Sequence, residues 1–284
     1  MEILKGAASS ARIKEEAASL LAAMEGPAPK LAIVRVGERP DDLSYERGAT
    51  KKLESFGLRV QSFAYPADIS HEEFMDAFAK INRDEDVAGI LLLCPLPKQI
   101  DQKVVAAAID PLKDLDGISP VNAAKVFAGD PEGFAPCTAE AVMEVLKTAG
   151  IGVRGKRVVI VGRSMVVGRP LSMLMLKEDA TVTICHTKTA DLRAVCKEAD
   201  ILAAAAGKAR MLDESYIRDG AVVIDVGINV DENGALCGDV DFQSLEGKAA
   251  AATPVPGGVG TVTTAVLARH LLAAARAKAA GKKA

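Results

Sequence analysis

Four short apolar runs with helical patterns between them are the feature that most constrains the fold of this 284-residue chain. Each run is nearly continuous and rich in β-forming residues, as expected of a strand buried on both faces of a parallel sheet. Intervals of about 20–30 residues leave room for a crossover helix, so the pattern predicts βαβ units and a Rossmann-like, dinucleotide-binding domain over residues 140–255. The runs are RVVIV (157–161), TVTIC (181–185), ILAAAA (201–206) and AVVIDV (221–226).

A second series of apolar runs lies nearer the start of the chain. LAIVRV (31–36), VQSFAY (60–65) and AGILLL (88–93) predict a separate α/β lobe over residues 1–125. The Ala-rich stretch within 262–284 has a helical pattern and follows a Gly/Pro turn, so we expect it to pack back on the first lobe and complete it. The predicted fold class is therefore α/β with two lobes and a returning C-terminal helix.

Composition excludes several classes of function. The net charge of −3 and the pI of about 5.8 do not suggest a surface for nucleic acid or for anionic membranes. The chain has no run of roughly 18 apolar residues and no signal-peptide pattern at its start, so we expect a cytoplasmic protein. The five cysteines are scattered without C-x-x-C pairing, which predicts reduced thiols and no metal site.

The turn after the RVVIV run predicts a phosphate-binding site. The stretch RVVIVGRSMVVGRP (157–170) is typical of a strand, then Gly162, a turn, Gly168 and a helix. A helix start offers backbone N–H groups and a positive dipole end, which suit a diphosphate. A strict G-x-G-x-x-G is absent because Ser164 stands where the second glycine would be, so the motif alone is weak and a turn without a ligand is the alternative.

The stretch CHTKT (185–189) bears on the choice of dinucleotide. NAD-binding domains usually carry an acidic residue near this point, which contacts the ribose hydroxyls. Here Thr187 and Lys188 stand there instead, and Arg163 lies in the glycine turn. Cations and hydroxyls suit a 2′-phosphate, so the sequence favours NADP over NAD. The alternative is that Lys188 is only a solvated residue at the start of a helix predicted over 188–200.

Eight stretches spread over most of the chain form a pattern that is specific in combination, although no single stretch is. They are GILLLCPLPKQI (89–100), DPLKDLDGISPVN (110–122), PCTAEAV (136–142), GKRVVIVGRSMVVGRP (155–170), CHTKT (185–189), VIDVGIN (223–229), GDVDF (238–242) and TPVPGGVGTVT (253–263). In this order they resemble the methylenetetrahydrofolate dehydrogenase/cyclohydrolase family, the FolD-type proteins.

The resemblance implies two α/β lobes with a cleft between them, NADP on the second lobe and a folate on the first, usually in a homodimer. The implied reaction is hydride transfer from the methylene bridge of 5,10-methylenetetrahydrofolate to the nicotinamide, which gives the methenyl cation. Many members then hydrolyse that cation to 10-formyltetrahydrofolate in the same site. The dehydrogenase step needs little side-chain chemistry, because catalysis is mostly the orientation of two bound rings.

The resemblance also implies roles for individual positions. Tyr45 and Asp116 are the implied catalytic residues: Tyr45 packs on the folate, and the Asp116 carboxylate accepts N–H bonds from the pterin. The alternative for Asp116 is a turn cap, a role that Asp114 fills equally well. The other expected substrate contacts are Pro95, Leu96, Gly257, Gly258 and Thr263, and the expected cofactor contacts are Gly162, Arg163, Ser164, Gly168, Thr187, Lys188 and Ile228.

Two departures from the family pattern concern the hydrolytic half-reaction. The family carries a lysine four residues after the tyrosine, on the same helix face, and the resemblance implies that it drives hydrolysis. Here that position is Ala49, and Leu93 stands where the family typically has a nearby glutamine. We therefore expect a dehydrogenase with weak or absent cyclohydrolase activity. The alternative is a fully bifunctional enzyme in which another group, such as Lys52, replaces the lysine.

Further alternatives belong to other classes. One is a catalytically silent folate- or nucleotide-binding protein, against which the presence of Tyr45 and Asp116 speaks. Another is a different two-lobe dehydrogenase, such as a shikimate type, against which the PLP, KDLDG and PGGVG segments speak. A third departure from the family, Thr261 in place of a common proline, has no consequence that the sequence alone predicts.

Overall fold

The computed structural model describes residues 1–281, which form two compact units. Unit 1 contains Met1–Ala11 and Pro136–Thr263, and unit 2 contains Arg12–Ala135 and the residues from Thr264 onward. The last three residues of the predicted C-terminal helix, 282–284, lie outside the described residues.

Strands and helices are numbered in chain order. The strands are β1 (Glu2–Ile3), β2 (Lys30–Val36), β3 (Arg59–Tyr65), β4 (Val87–Leu92), β5 (Arg157–Val161), β6 (Thr181–Cys185), β7 (Ile201–Ala204), β8 (Val222–Asp225), β9 (Asn229–Val230), β10 (Leu236–Cys237) and β11 (Ala251–Ala252). The helices are α1 (Gly6–Ala22), α2 (Pro40–Glu54), α3 (His71–Arg83), α4 (Gln102–Ala108), α5 (Pro120–Ala128), α6 (Cys137–Thr148), α7 (Gly168–Lys177), α8 (Leu192–Lys197) and α9 (Thr263–Ala279).

Unit 1 is built on a parallel sheet with the strand order β1-β11-β8-β7-β5-β6. The chain passes from β5 to β6 on one side and then returns to β7 on the other, so the strand order reverses at β5. In open α/β sheets, ligands bind beyond the carboxyl ends of the strands at such a reversal. The strands predicted over 157–161 and 181–185 are confirmed with these bounds.

The start of the chain joins the sheet of unit 1. Glu2 and Ile3 pair in parallel with Ala251 and Ala252, which makes β1 an edge strand. Residues 1–11 therefore lie in unit 1, whereas the sequence placed them in the lobe predicted over 1–125. Strands of two residues are too short to show a period, so the sequence pattern missed both β1 and β11.

Unit 2 is built on a three-stranded parallel sheet with the order β3-β2-β4. Helix α3 begins with a capping box between Ser70 and Glu73, and it buries Phe74 and Phe78 against the sheet. Helix α9 packs on unit 2 as predicted: the Lys278 Nζ, near its end, donates to the carbonyl of Glu85, which lies between α3 and β4.

The helix predicted over 188–200 is shorter in the structure. Helix α8 begins at Leu192, because Asp191 has a left-handed backbone (φ +44°) and caps the helix by accepting the Ala194 N–H. Lys188 therefore lies in a turn before the helix, and the prediction that a helix starts there is wrong.

Within the described residues, no helix combines the length and apolar character that a membrane span requires. The same part of the chain contains no group of three or more His, Cys, Asp or Glu side chains with the arrangement of a metal site.

Candidate active site

Two glycines allow a close approach of backbone segments in the turn between β5 and α7. Gly162 has φ +138°, and a Cβ there would lie 2.1 Å from the carbonyl oxygen of Ala205. A Cβ at Gly168 would lie 2.0 Å from the carbonyl oxygen of Gly162. Both obstacles are backbone atoms, so no side chain can move aside and both positions require glycine. The turn thus keeps backbone close to the N-terminal end of α7, an arrangement that suits a diphosphate.

Hydrogen bonds brace this glycine turn. The Ser164 hydroxyl accepts the Val167 N–H at 3.1 Å, and the Ser164 carbonyl accepts the Arg169 N–H at 3.1 Å. The Arg169 guanidinium also donates to the carbonyl of Arg163 through Nε at 3.2 Å. The side chains of Arg163 and Ser164, both expected cofactor contacts, are exposed on the turn.

The CHTKT stretch lies beside the glycine turn. Strands β5 and β6 are parallel and in register to their last residues, so both turns leave the sheet at the same edge. The Thr189 hydroxyl accepts the His186 N–H at 2.8 Å, and His186 Nδ1 accepts the Lys188 N–H at 3.1 Å. This compact turn leaves the side chains of Thr187 and Lys188 exposed. The structure therefore brings the three expected 2′-phosphate contacts, on two adjacent turns, to one edge.

The loop that carries Ile228 reaches the same edge two strands away, after β8. Ile228 is 69% exposed, and a Cβ built on Gly260 would lie 3.9 Å from its Cδ1. The Ile228 loop and the PGGVG segment (256–260) are therefore neighbours within unit 1.

A buried carboxylate that no sequence motif predicted holds the start of this loop. Asp225 accepts backbone N–H bonds from Gly227 (2.9 Å), Asp239 (3.0 Å) and Val240 (3.0 Å). Burial raises the pKa of the Asp225 carboxyl to about 6, although these hydrogen bonds oppose the shift. The signal for this residue was its place at the end of the apolar run AVVIDV, where a charged side chain is unusual.

Asp239 is a second buried carboxylate beside the first. It accepts the Asn229 amide at 2.9 Å and the N–H groups of three successive residues, 206–208, which follow β7. The pair Asp225 and Asp239 thus connects the ends of β7, β8 and β10. It also holds both neighbours of Ile228, Gly227 through its backbone N–H and Asn229 through its side-chain amide. Its role within unit 1 is to position this loop.

The PGGVG segment folds as a tight turn. Gly257 has φ +101°, and its carbonyl accepts the Gly6 N–H at 3.0 Å. A Cβ at Gly258 would lie 2.5 Å from the carbonyl oxygen of Pro254, so this position also requires glycine. Thr263, at the start of α9, is buried and donates its hydroxyl to the carbonyl of Gly260 at 3.1 Å.

Thr261 has a structural role that the sequence did not predict. Its N–H (3.1 Å) and its hydroxyl (2.8 Å) both donate to the carbonyl of Gly258. A proline at this position would have no N–H to donate. The departure from the family pattern therefore adds two hydrogen bonds within the turn.

In unit 2, the face of α2 that carries Tyr45 also carries Ala49 and Lys52, at i+4 and i+7. Tyr45 is 39% exposed, whereas Ala49 is 2% exposed and belongs to the core. Lys52 is half-buried, and this burial lowers the pKa of its ammonium. The only other cations on this helix, Arg47 and Lys51, point to other faces.

The turn after β4 is joined to the start of α2. The Arg39 guanidinium forks onto the Asp42 carboxylate at 2.7 and 2.8 Å, and its Nη2 also donates to the carbonyl of Cys94 at 3.0 Å. Cys94 immediately precedes Pro95 and Leu96, two of the expected substrate contacts. Nothing in the local sequence pattern distinguishes Arg39 from a surface cation.

Asp116 lies close to this turn. Burial, with the Asp116 charge as the next cause, raises the pKa of the Cys94 thiol to about 11. The thiol is therefore neutral at physiological pH and is not a nucleophile. Leu93, at the position of the family glutamine, is buried and donates its N–H to the carbonyl of Val34. The structure thus brings Pro95, Leu96 and Asp116 together, whereas Gly257, Gly258 and Thr263 belong to unit 1.

The loop that carries Asp116 is closed by its neighbour Asp114. The Asp114 carboxylate is 1% exposed and accepts the N–H groups of Ile118 (3.0 Å) and Ser119 (2.8 Å) and the Asn122 amide (2.9 Å). Asp114 therefore fills the turn-cap role that the sequence left open between these two aspartates.

These features define a class of protein: a two-unit α/β protein with a glycine turn for a dinucleotide in one unit and a carboxylate-bearing loop in the other. Two family models match the chain. Residues 4–116 match "Tetrahydrofolate dehydrogenase/cyclohydrolase, catalytic domain", and residues 136–279 match "Tetrahydrofolate dehydrogenase/cyclohydrolase, NAD(P)-binding domain". The chain belongs to the tetrahydrofolate dehydrogenase/cyclohydrolase family.

Individual relatives agree over nearly their whole lengths. The "Bifunctional protein FolD" of Clostridioides difficile is 51% identical over 97% of this chain and 96% of that protein. The crystal structure of the bifunctional FolD enzyme from Campylobacter jejuni has a TM-score of 0.95 and 37% identity, covering 98% of this chain and 99% of that one. The Trypanosoma brucei FolD structure, complexed with NADP cofactor and an inhibitor, has a TM-score of 0.91 and 34% identity, with 98% of each chain covered.

Proposed function

We propose that this chain is a 5,10-methylenetetrahydrofolate dehydrogenase that uses NADP. The proposal depends above all on one observation: in this chain of the family, hydrogen bonds hold both the glycine turn of unit 1 and the Asp116 loop of unit 2 in place. In this proposal unit 1, which includes most of the range predicted as 140–255, binds the dinucleotide. Unit 2, which includes most of the lobe predicted over 1–125, binds the folate.

The residues of unit 1 fit a dinucleotide. The absence of a Cβ at Gly162 and Gly168 lets the backbone of the turn pack tightly on itself and on Ala205. The tight turn leads directly into α7, whose first N–H groups suit a diphosphate. Exposed Ile228 offers an apolar surface at the same edge of the sheet. When bound, NADP supplies the nicotinamide that accepts a hydride.

The preference for NADP over NAD depends on three exposed side chains. Arg163 and Lys188 are cations on two adjacent turns, and Thr187 adds a hydroxyl, which together suit the charge and the acceptor oxygens of a 2′-phosphate. The Trypanosoma brucei relative, whose structure contains NADP, supports the same choice.

In unit 2 the proposed role of the residues is to orient the folate. The Asp116 carboxylate accepts N–H bonds from the pterin edge, and the exposed ring of Tyr45 packs on the folate. Pro95 and Leu96 add apolar surface on a turn that Arg39 holds against α2. Loss of a hydride requires no side chain to take up a proton, so correctly oriented rings suffice for this step.

A second candidate function is hydrolysis of the methenyl product to 10-formyltetrahydrofolate. The names of the reported relatives support it: the Clostridioides difficile and Campylobacter jejuni proteins are called bifunctional, and the Trypanosoma brucei protein is called a dehydrogenase-cyclohydrolase. These names give no support to the expectation that this activity is absent. Ala49 and Leu93 still favour a low rate, because attack by water needs proton transfer and stabilisation of a tetrahedral intermediate. Lys52, whose burial lowers its pKa, is the nearest cation along the Tyr45 face.

Two assays test these proposals. Mixing purified protein with methylenetetrahydrofolate and NADP should produce the NADPH absorbance band, and the same mixture with NAD should produce less; no band with either cofactor refutes the dehydrogenase. Methenyltetrahydrofolate alone should disappear slightly faster with protein than in buffer. A rate equal to that in buffer excludes the second function, and loss of the rate in Lys52→Met but not in Lys51→Met assigns it to Lys52.

Two further expectations stay proposals. The homodimer implied by the family is tested by light scattering at several protein concentrations. The cytoplasmic location is tested by fractionating cells that express the chain.

A further inference from the structure

A buried histidine of α9 contacts the loop that carries Asp116. His270 is 5% exposed, and its Nδ1 lies 2.7 Å from the carbonyl oxygen of Leu115, 155 positions earlier in the chain. A carbonyl only accepts hydrogen bonds, so Nδ1 carries the hydrogen. The imidazole also packs against Phe134, with ring centroids 5.0 Å apart, which fixes the plane of the ring.

The carbonyl that His270 binds belongs to the residue immediately before Asp116. A peptide group is planar, so fixing the Leu115 carbonyl also fixes the N–H and Cα of Asp116. The Leu115 side chain is fully buried, and a Cβ on Gly89 would lie 2.3 Å from its Cδ1. The peptide between Leu115 and Asp116 is thus held by packing through its side chain and by His270 through its carbonyl.

Two other side chains hold this loop at different points. The Asp114 carboxylate holds the later part of the loop at Ile118 and Ser119. The Lys113 ammonium holds the earlier part, through the carbonyls of Asn82 (2.6 Å) and Asp84 (2.7 Å) at the end of α3. His270 therefore acts on the peptide that sets the direction of the Asp116 side chain.

We propose that His270 is a positioning residue that orients the Asp116 carboxylate for the pterin. This inference rests on the proposed function, because it takes Asp116 as the group that binds the folate. His270 acts through Leu115 and takes no part in the chemistry. Its hydrogen bond serves substrate orientation, and its loss therefore affects the folate and leaves the dinucleotide unaffected.

Two substitutions separate the hydrogen bond from the packing of the ring. In His270→Asn the amide nitrogen stands as many bonds from Cα as Nδ1 does, so the variant can still donate to the Leu115 carbonyl. In His270→Leu the side chain remains large and apolar but donates nothing, and the buried carbonyl loses a partner. Leu272→Ala is the control: Leu272 is fully buried on α9 but points about 200° around the helix from His270.

The measurements are steady-state KM values for both substrates, tetrahydrofolate binding by calorimetry, and melting temperatures. His270→Leu should raise the folate KM and the tetrahydrofolate Kd about 10-fold or more, because misplacement by about 1 Å has effects of up to about 100-fold. The NADP KM should stay unchanged, and His270→Asn should restore most of the folate affinity. Leu272→Ala should lower the melting temperature without changing the folate KM.

An unchanged folate KM and tetrahydrofolate Kd in His270→Leu overturns the inference. The inference is also overturned if the KM values for the folate and for NADP rise together, in proportion to the fall in melting temperature, across all three variants. Failure of the proposed function looks different: the unsubstituted protein then neither forms NADPH nor binds tetrahydrofolate, and the inference falls with it.

Discussion

Substituting Gly168 by alanine tests whether the glycine turn binds the dinucleotide. The new Cβ would lie 2.0 Å from the Gly162 carbonyl oxygen, whereas real Cβ contacts essentially never fall below 3.0 Å. The backbone must therefore move by at least the difference, 1.0 Å. The obstacles are backbone atoms of Gly162 and Arg163, so a change of rotamer cannot relieve the overlap.

The backbone displacement caused by Gly168→Ala has two expected consequences. Overpacking of this kind lowers the free energy of unfolding by about 1–3 kcal/mol. Misplacing the turn by about 1 Å should raise the NADP KM roughly 10- to 100-fold. The folate KM should stay close to that of the unsubstituted protein, because Gly168 lies in unit 1 and the folate contacts of unit 2 remain intact.

The assay is initial-rate NADPH formation at varied NADP and at varied methylenetetrahydrofolate, together with thermal unfolding. Gly152→Ala is the matched control, since it makes the same chemical change in unit 1 and its new Cβ would meet no atom within 4 Å. If Gly168→Ala keeps the NADP KM and the melting temperature of the Gly152→Ala control, the close approach in the turn has no part in cofactor binding.

Three other predictions concern charge, pH and helix propensity. Lys188→Ala should raise the KM for NADP about 10-fold or more but not that for NAD, since a charge-assisted hydrogen bond contributes about 1.5–3 kcal/mol. Lys156→Ala, at the opposite end of β5, is the control. Equal effects of Lys188→Ala on the two KM values would contradict the 2′-phosphate assignment. The pKa of Asp225 is raised from 3.8 to about 6, so the folded state binds this proton more tightly than the unfolded state. Stability should therefore fall by up to about 3 kcal/mol as pH rises between these two values, and chemical denaturation across this range should show no such fall for Asp225→Asn. Gly48 lies exposed within α2 with no atom within 4 Å of an added Cβ, so Gly48→Ala should stabilise the protein by about 1 kcal/mol, and a lower melting temperature would be the contrary result.

The sequence predicted the strands that have strong local patterns. Strands β5 and β6 appear with their predicted bounds because their apolar runs are continuous and end at clear turns. Strand β1 was missed because two residues show no period, and its pairing with β11 depends on a contact across about 250 positions. The early start predicted for α8 was wrong because Asp191 adopts a left-handed backbone that a propensity argument does not foresee.

The site could be predicted only in part, for a similar reason. Gly162 and Gly168 can be recognised in the sequence, because a glycine motif is required wherever backbone segments approach each other as closely as they do here. The supporting groups do not: Arg39, Asp225 and His270 act on backbone groups far away in the chain, and nothing in their local sequence specifies those partners. No sequence pattern marks His270, and the structure places it on α9 with its side chain buried.

Transfer of an isotope label tests the central claim most directly. Methylenetetrahydrofolate deuterated at the methylene carbon is incubated with the protein and NADP, and the reduced cofactor is analysed by mass spectrometry. The proposed reaction predicts that the deuterium appears in the NADPH, because the hydride passes from that carbon to the nicotinamide without exchange with water. Unlabelled NADPH, or none at all, would contradict it.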